Sequence, residues 1–373
     1  MQIQTGKEPA QGGIISWITT NLGRVLISLF IPVVTFLVLW QGYLFLRDSN
    51  APQAVIVLVA IIWGVGGVAL LFVVSNWLIE KLPGEWGRRL QPFVFIGPGI
   101  AILAWYLAVP VIRTLILSFQ NDIGKGFVGF DNYVFALTDR VMLEAFRNNL
   151  LWMVLGTSVS VGLGLLIAVL ADRSRFESVY KAIIFMPMAI SFVGAGVIWK
   201  FIYTYKGTGS GIQEIGLLNA IILALGGNSQ PWLQIPPWNN LLLIIIMVWL
   251  QTGYAMVIIS SAIKGVPAEL LEAARIDGAT EVRAFFKVTV PFIQGTLLTV
   301  TTTIVIFSLK LFDIVRVMTG GNNGTNVIAN EFYLESFTYN QTGRASAIAI
   351  VLLIIAIPVI IYNLRQFADR RAF

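Results

Sequence analysis

Between Lys264 and Gly295 the chain reads KGVPAELLEAARIDGATEVRAFFKVTVPFIQG, and the punctuation of this stretch describes two short helices. Pro267 suits the first helical position, Glu269 falls in the first turn, and Gly278 suits a left-handed stop. Thr280 can cap a second helix that runs through Lys287 and ends before Pro291. Two helices joined at a glycine make a docking knob. Ala273 and Ala274 let another backbone approach closely, and the Glu272 carboxylate can pair with a basic group. That chemistry is mechanical. An alternative is an amphipathic hairpin lying on lipid, with Leu270, Leu271, Phe285 and Phe286 buried in it. Bond-making chemistry has little to work with. The chain has no cysteine and no histidine, which excludes thiolate nucleophiles, disulfides, His-ligated metals and Ser-His-Asp triads. Neither Gly6-Lys7 nor Gly124-Lys125 sits in a GxxxxGK[ST] frame, so no phosphate-binding P-loop is present.

The elements that must carry this knob are apolar throughout. Of the 373 residues 57% are hydrophobic and 12% charged, with a mean hydropathy of +0.81, whereas a soluble domain carries about 25% charge. A water-soluble enzyme is excluded. Eight runs approach the roughly 20 residues that span about 30 Å of hydrocarbon as helix. They are Val25 to Leu46, Val55 to Leu78, Pro92 to Ile112, Leu150 to Leu170, Ala182 to Tyr203, Leu241 to Ala262, Thr296 to Val315 and Ala345 to Tyr362. Lys200 near the end of the fifth can snorkel. Leu217 to Leu225 is too short to span and suits an interface.

Lysine and arginine orient the spans. With the N-terminus inside, the cytoplasmic segments hold 15 of the 25 basic residues, among them Lys81, Arg88, Arg173, Lys181, Lys264, Arg275 and Arg365. Both termini are therefore expected in the cytoplasm, and the formal charge of +6 needs no nucleic acid. The first span is too long for the h-region of a signal peptide and is read as retained. Upstream, Ile14, Ile15, Trp17, Ile18 and Leu22 suggest a short interfacial helix, with a disordered tail as the alternative.

Glu272-Ala273-Ala274, Gly278 and Val288-Thr289-Val290-Pro291 together resemble the EAA loop of ATP-binding-cassette importer permeases. Five fixed residues at about 1/20 each recur by chance in roughly one chain of this length in ten thousand. The likeness is to the carbohydrate-importer subgroup, the family of the maltose permease's larger subunit, and covers nearly all of Pro92 to Phe373. Ser118-Phe119, Phe127 to Phe130 and Asn132-Tyr133 resemble that family's first external loop. Pro187, Ser191, Trp199 and Lys200 resemble its third core helix, followed by Gly216 to Asn219. Thr319-Gly320-Gly321, Thr325 and Gly343 to Ala347 match the approach to its last helix. Asn322 and Asn323 depart from the proline usual after the glycines, which puts the local turn in question. The loop after the third span is about as short as in alpha-glucoside and trehalose types, without the maltose permease's extra domain.

The resemblance implies an all-α membrane protein of eight transmembrane helices. Residues 92–373 would form a six-helix type I importer core, and residues 1–91 a tail with two accessory helices. It implies that Glu272, Ala273, Ala274, Asp277, Gly278 and Pro291 couple the chain to a separate ATPase dimer, where ATP and magnesium would bind. A second permease subunit and an extracytoplasmic sugar-binding protein would complete the complex, and this chain would hold no cofactor, catalytic residue or metal. Alternating-access transporters bind substrate near the bilayer midplane. The midpoints of the sixth and seventh spans fall at Gln251, flanked by Trp249 and Tyr254, and at Phe307-Ser308. A sugar needs hydrogen-bonding groups and an aromatic face. By the resemblance Met247, Leu250, Gln251, Tyr254, Phe307, Ser308 and Leu311 are the expected contacts for a disaccharide or other alpha-glucoside. Lys310 and Asp313 are spaced for a local ion pair, with substrate contact as the alternative, and Thr299 and Thr301 to Thr303 for bonds to their own helix. A proton- or sodium-driven transporter would want more carboxylates inside its spans, and an intramembrane enzyme would want convergent acids, histidines or a metal.

Overall fold

The computed structural model describes residues 22–80, 86–122, 126–207 and 214–369. These residues are helical and carry no strand, only an isolated bridge between Gln120 and Phe127. The stretch Ile14 to Ile18, read as an interfacial helix, lies outside them. Seven helices are long and apolar enough to span a membrane, and eight if one bent pair counts as a single span. The chain divides into two units, Met1–Pro110 and Val111–Phe373.

In the first unit α1 (Leu22–Asp48) and α2 (Gln53–Glu80) form an antiparallel pair. Gly42 lets Trp63 press against the α1 backbone, where a Cβ would come within 2.1 Å of the indole, and Trp63 Nε1 donates to the Leu39 carbonyl at 3.0 Å. A buried indole N–H in an apolar pair needs such a partner. α3 (Trp86–Leu117) follows and crosses the division between the units.

The second unit opens with a loop held by Asn132, whose Nδ2 donates to the carbonyls of Ser118 and Gln120 at 3.0 and 2.8 Å. α4 (Asp131–Thr138) leads to α5 (Arg140–Leu151), which Asp139 caps by accepting from Val141 N. A π-helical turn, Trp152–Gly156, joins α5 to α6 (Thr157–Asp172), so the fourth span is a 33-residue helix that starts well before the expected Leu150.

The fifth span is not the continuous helix expected from Ala182 to Tyr203. α7 (Glu177–Phe185) passes through a 3₁₀ turn, Met186–Ala189, and meets α8 (Phe192–Tyr203) at 101°. Pro187 and the extended Ile190 and Ser191 break the helix, and the Ser191 hydroxyl restarts it by accepting from Gly194 N at 3.0 Å. α9 (Leu217–Ala224) is the short helix read as interfacial. Asn219 holds it down, accepting from Gln230 N and Trp232 Nε1 at 3.0 and 2.8 Å.

α10 (Trp238–Lys264) is the axis of this unit, packed on α6, α7 and α13 (Val290–Leu309). Close approach depends on glycines. A Cβ on Gly164 of α6 would meet the Ala255 Cβ at 2.5 Å, and one on Gly253 of α10 would meet the Ile184 carbonyl at 2.5 Å. The core runs along α10 from Leu243 through Met247 and Met256 to Ile259.

Between α10 and α13 lie α11 (Ala268–Ile276) and α12 (Glu281–Ala284). The seventh span, expected from Thr296 to Val315, instead ends at Leu309, and α14 (Asp313–Met318) is a separate helix. Asp313 therefore starts a new helix, and no ion pair joins it to Lys310 among the described residues. Thr299, Thr301, Thr302 and Thr303 bond back to carbonyls of their own helix as expected. α15 (Ile328–Tyr333), a π-helical turn Leu334–Thr338, and α16 (Thr342–Asp369) complete the unit.

Gly164→Val should cost about 1–3 kcal/mol of stability by overpacking the α6–α10 contact. Gly162→Ala, with open space around its Cβ, should cost none. Thermal unfolding of the two variants in the same detergent checks both.

Candidate coupling and transport site

The knob is built as its punctuation requires. Asp277 ends α11, Gly278 takes φ +79°, and Ala279 N closes the turn on the Ala274 carbonyl at 2.9 Å. Thr280 caps α12 by accepting from Arg283 N. Arg275 reaches over the glycine to Glu281, Nε to Oε1 at 2.9 Å, and ties the two helices together. Glu272, Ala273, Asp277 and Gly278 are exposed, and Ile276 is 85% exposed, an apolar side chain offered outward at the bend. Leu271 and Phe285 turn the other way and line a recess with Val169, Asp172 and Ile263, while Leu270 and Phe286 are exposed. Pro291 does not end the second helix. The π-helical turn Phe285–Thr289 carries α12 into α13, with Val290 N bonded to the Phe285 carbonyl five residues back. The widened turn accommodates a proline that has no N–H to offer.

Behind the knob a polar network joins three helices. Lys181 of α7 bonds Asp172 of α6, Ser260 of α10 and Glu177, and Lys264 bonds Glu177 as well. Ser260 Oγ also donates to Asp172 at 2.7 Å. Sequence reading counted Lys181 and Lys264 only as orienting charges.

At the opposite end of the bundle, asparagines in the helices hold the loop from Thr319 to Thr325. Gly320, Gly321, Asn323 and Gly324 all take positive φ, so this turn is built from left-handed residues. Asn148 Nδ2 donates to the carbonyls of Gly324 and Asn326 at 2.9 and 2.8 Å, Asn240 Nδ2 to Gly324 at 2.9 Å, and Asn239 Nδ2 to Asn323 at 2.6 Å. Asn149 Nδ2 spans the carbonyls of Ser308 and Leu309 where α13 stops, while its Oδ1 accepts from Ile328 N at 2.8 Å. The signal in the sequence was the pairs Asn148-Asn149 and Asn239-Asn240 beside apolar runs. Beside this loop burial, with the charge of Glu331 adding to it, pushes the Glu335 carboxyl up to about 7.

The residues expected at mid-span divide into two groups, and of them Phe307, Ser308 and Leu311 lie at or just beyond the end of α13 at Leu309 rather than at its middle. Met247, Leu250 and Leu311 are buried together in the core, and Met247 packs where Gly156 lacks a side chain. Ser308 is buried and donates to the Val305 carbonyl at 2.8 Å. Gln251 is 4% exposed, with Oε1 buried and unpaired. Tyr254 is half-buried, and Phe307 is 43% exposed with its ring against Phe192, centroids 6.2 Å apart. Trp249 packs edge-on against Trp199.

Residues 160–373 match the family model described as binding-protein-dependent transport system inner membrane component. The chain belongs to this family. The knob, its supporting network and the asparagine-held loop are thus parts of an inner membrane component, a multi-pass membrane subunit of a transport system. The chain is 54% identical over 274 residues to the osmoprotective compounds uptake permease protein GgtC of Synechocystis sp., covering 74% of this chain and 98% of that relative. It is 46% identical to the alpha-glucoside transport system permease protein AglF of Rhizobium meliloti, covering 75% of this chain and 83% of the relative. The fold is that of a bacterial alginate ABC transporter chain, solved with an alginate pentasaccharide-bound periplasmic protein, at a TM-score of 0.64 and 18% identity over 75% of this chain and 96% of that one. The six-helix type I importer core is therefore the architecture of this family member.

Two measurements follow. Asn148→Leu strands the carbonyl of Asn326, leaves that of Gly324 to Asn240 alone, and should cost about 1–3 kcal/mol in unfolding experiments. Burial raises the folded Glu335 carboxyl from the ordinary range of a glutamate, about 4.3, to about 7, so it binds more protons folded than unfolded between those values. The folded protein should gain stability as pH falls from 8 to 5, and Glu335→Gln should flatten that part of the profile of thermal midpoint against pH.

Proposed function

We propose that this chain is a permease subunit of an ATP-driven sugar importer, carrying an alpha-glucoside or a glucoside-like osmoprotective solute. The observation that carries the reading is an exposed two-helix knob, bent at Gly278, on a chain whose relatives are named for uptake of osmoprotective compounds and alpha-glucosides. Both termini lie in the cytoplasm, by the distribution of lysine and arginine. That orientation puts the knob on the cytoplasmic side and the asparagine-held loop outside.

Glu272, Ala273, Ala274, Asp277 and Gly278 seat the knob in an ATPase subunit, with Ile276 as its apolar anchor. Pro291 and the turn before it pass the motion into α13. ATP and magnesium bind in the ATPase dimer and supply the free energy. A second permease subunit faces this one across the pathway, and an extracytoplasmic binding protein delivers the sugar. Tyr254 and Phe307 have the accessible surface that a sugar ring would meet, and Gln251 keeps an unpaired carbonyl for a hydroxyl. Met247, Leu250, Ser308 and Leu311 shape the wall behind them. Residues 92–373 form the core and residues 1–91 an accessory segment. This division fits the observation that 74% of the chain accounts for nearly the whole of the Synechocystis relative.

The test is purification of the chain from its native membrane with identification of what accompanies it, beside a Gly278→Asp variant. An aspartate at φ +79° is strained and sets a charge at the bend. The expected result is an ATPase and a second permease with the unaltered chain, loss of the ATPase from the variant, and sugar-stimulated ATP hydrolysis only in the intact complex. A chain that purifies alone and transports on a proton or sodium gradient would overturn the reading.

A further inference from the structure

The loop Thr319 to Thr325 and α15 enclose a recess of about 380 Å³ walled by Asp139, Glu331 and Glu335 together with Gly320, Asn322 and Tyr339. Its acids are differently placed. Glu331 Oε2 accepts from Asn326 Nδ2 at 2.6 Å. Glu335 is 4% exposed, and its Oε2 is buried with no hydrogen-bond partner. The nearby cations are turned to other tasks. The Arg344 guanidinium lies over the Phe135 ring at 4.5 Å and that of Arg316 over the Tyr333 ring at 4.4 Å, and neither is ion-paired to Glu335 among the described residues. Asp122, Asp139 and Glu331 add negative potential at Glu335, partly offset by Arg344.

A buried carboxylate oxygen without a donor is costly, and a donor that arrives later recovers that cost. The vacancy has the wrong form for a bare metal ion. No group of three acidic or other ligating side chains among the described residues could hold one, and the recess is many times the volume of an ion. A planar or tetrahedral nitrogen cation on a flexible stem suits it, because such a group brings several N–H donors and an apolar shaft to lie along Tyr339. In the proposed orientation the recess opens on the side from which a binding protein must approach, and the family's dependence on such a protein supplies the occupant.

We propose that the recess receives an arginine or lysine side chain of the extracytoplasmic binding protein, which pairs with Glu335 when the two dock. This rests on the importer reading above. Docking then satisfies a carboxylate that the free permease leaves unsatisfied, in the same recess as the loop that α5 and α10 hold. Affinity and the state of that loop are linked through a single ion pair.

The experiment uses the whole complex in nanodiscs and its purified binding protein. Glu335→Gln keeps the shape and removes the charge, so folding is retained, and its thermal midpoint above pH 7 checks this. Binding-protein affinity should fall about thirtyfold or more, as when one member of a desolvated charge pair is lost. One Arg→Gln or Lys→Gln substitution on the binding protein should give the same loss and no further loss in combination with Glu335→Gln. Affinity unchanged within twofold, or losses that simply add for every basic position, would overturn the pairing. So would a thermal midpoint raised by calcium chloride in the unaltered complex and not in Glu335→Gln, since the occupant would then be an ion. If the unaltered complex neither binds the protein nor hydrolyses ATP faster with it, the importer reading itself fails.

Discussion

An unpaired peptide group has no partner in hydrocarbon, and at several breaks in the described helices of this chain a side chain or a change of helical pitch takes over the missing bond. Asn149 bridges the end of α13 to the start of α15. Asn148 and Asn240 meet at the Gly324 carbonyl, Ser191 restarts α8, and Asn219 holds α9 against the loop segment that returns beside it. Remove these amides and hydroxyls and the breaks have no place in an apolar bundle. The breaks are also where the protein has its functional surfaces, because an unbroken helix presents only side chains, whereas a bend presents backbone and shape.

The composition made the fold class plain, and local chemistry fixed the knob. Gly278 and Thr280 are residues whose backbone preferences act within a few positions, so the bend and the cap were legible. Pro291 was misread because a proline ends a helix only if the turn before it cannot widen, and the turn Phe285–Thr289 does widen. The breaks at Ile190 and Lys310 were missed for a related reason. Hydropathy is blind to pitch, and Ala182 to Tyr203 and Thr296 to Val315 are apolar enough to span whether straight or bent. Nor could spacing alone pair Asn148 with Gly324, which lie 176 residues apart.

The mid-span residues illustrate a second limit. Height along a helix can be counted only once its ends are known: Gln251 sits at the middle of Trp238–Lys264 as counted, whereas Phe307, counted as the middle of Thr296 to Val315, lies two residues from the end of α13 at Leu309. Which way a residue faces depends on neighbours far away in sequence. Met247 is interior because Gly156 gives it room, while Phe307 is surface because α13 turns that side outward. A helix with an almost uniformly apolar circumference gives no sign of which face meets protein, lipid or passageway.

The widened turn at Phe285–Thr289 changes more than the path of one helix. It lets the stretch Glu281–Leu309 run for 29 residues without a joint, a rod of roughly 44 Å at the usual rise. It also inserts a residue into the winding, so everything beyond it is rotated by about 100° relative to an ordinary helix with the same start. The azimuth of Phe307 is therefore set some twenty positions earlier, beside the knob. The bend fixes where a push enters, and the pitch of one turn fixes which way the far end points when it arrives.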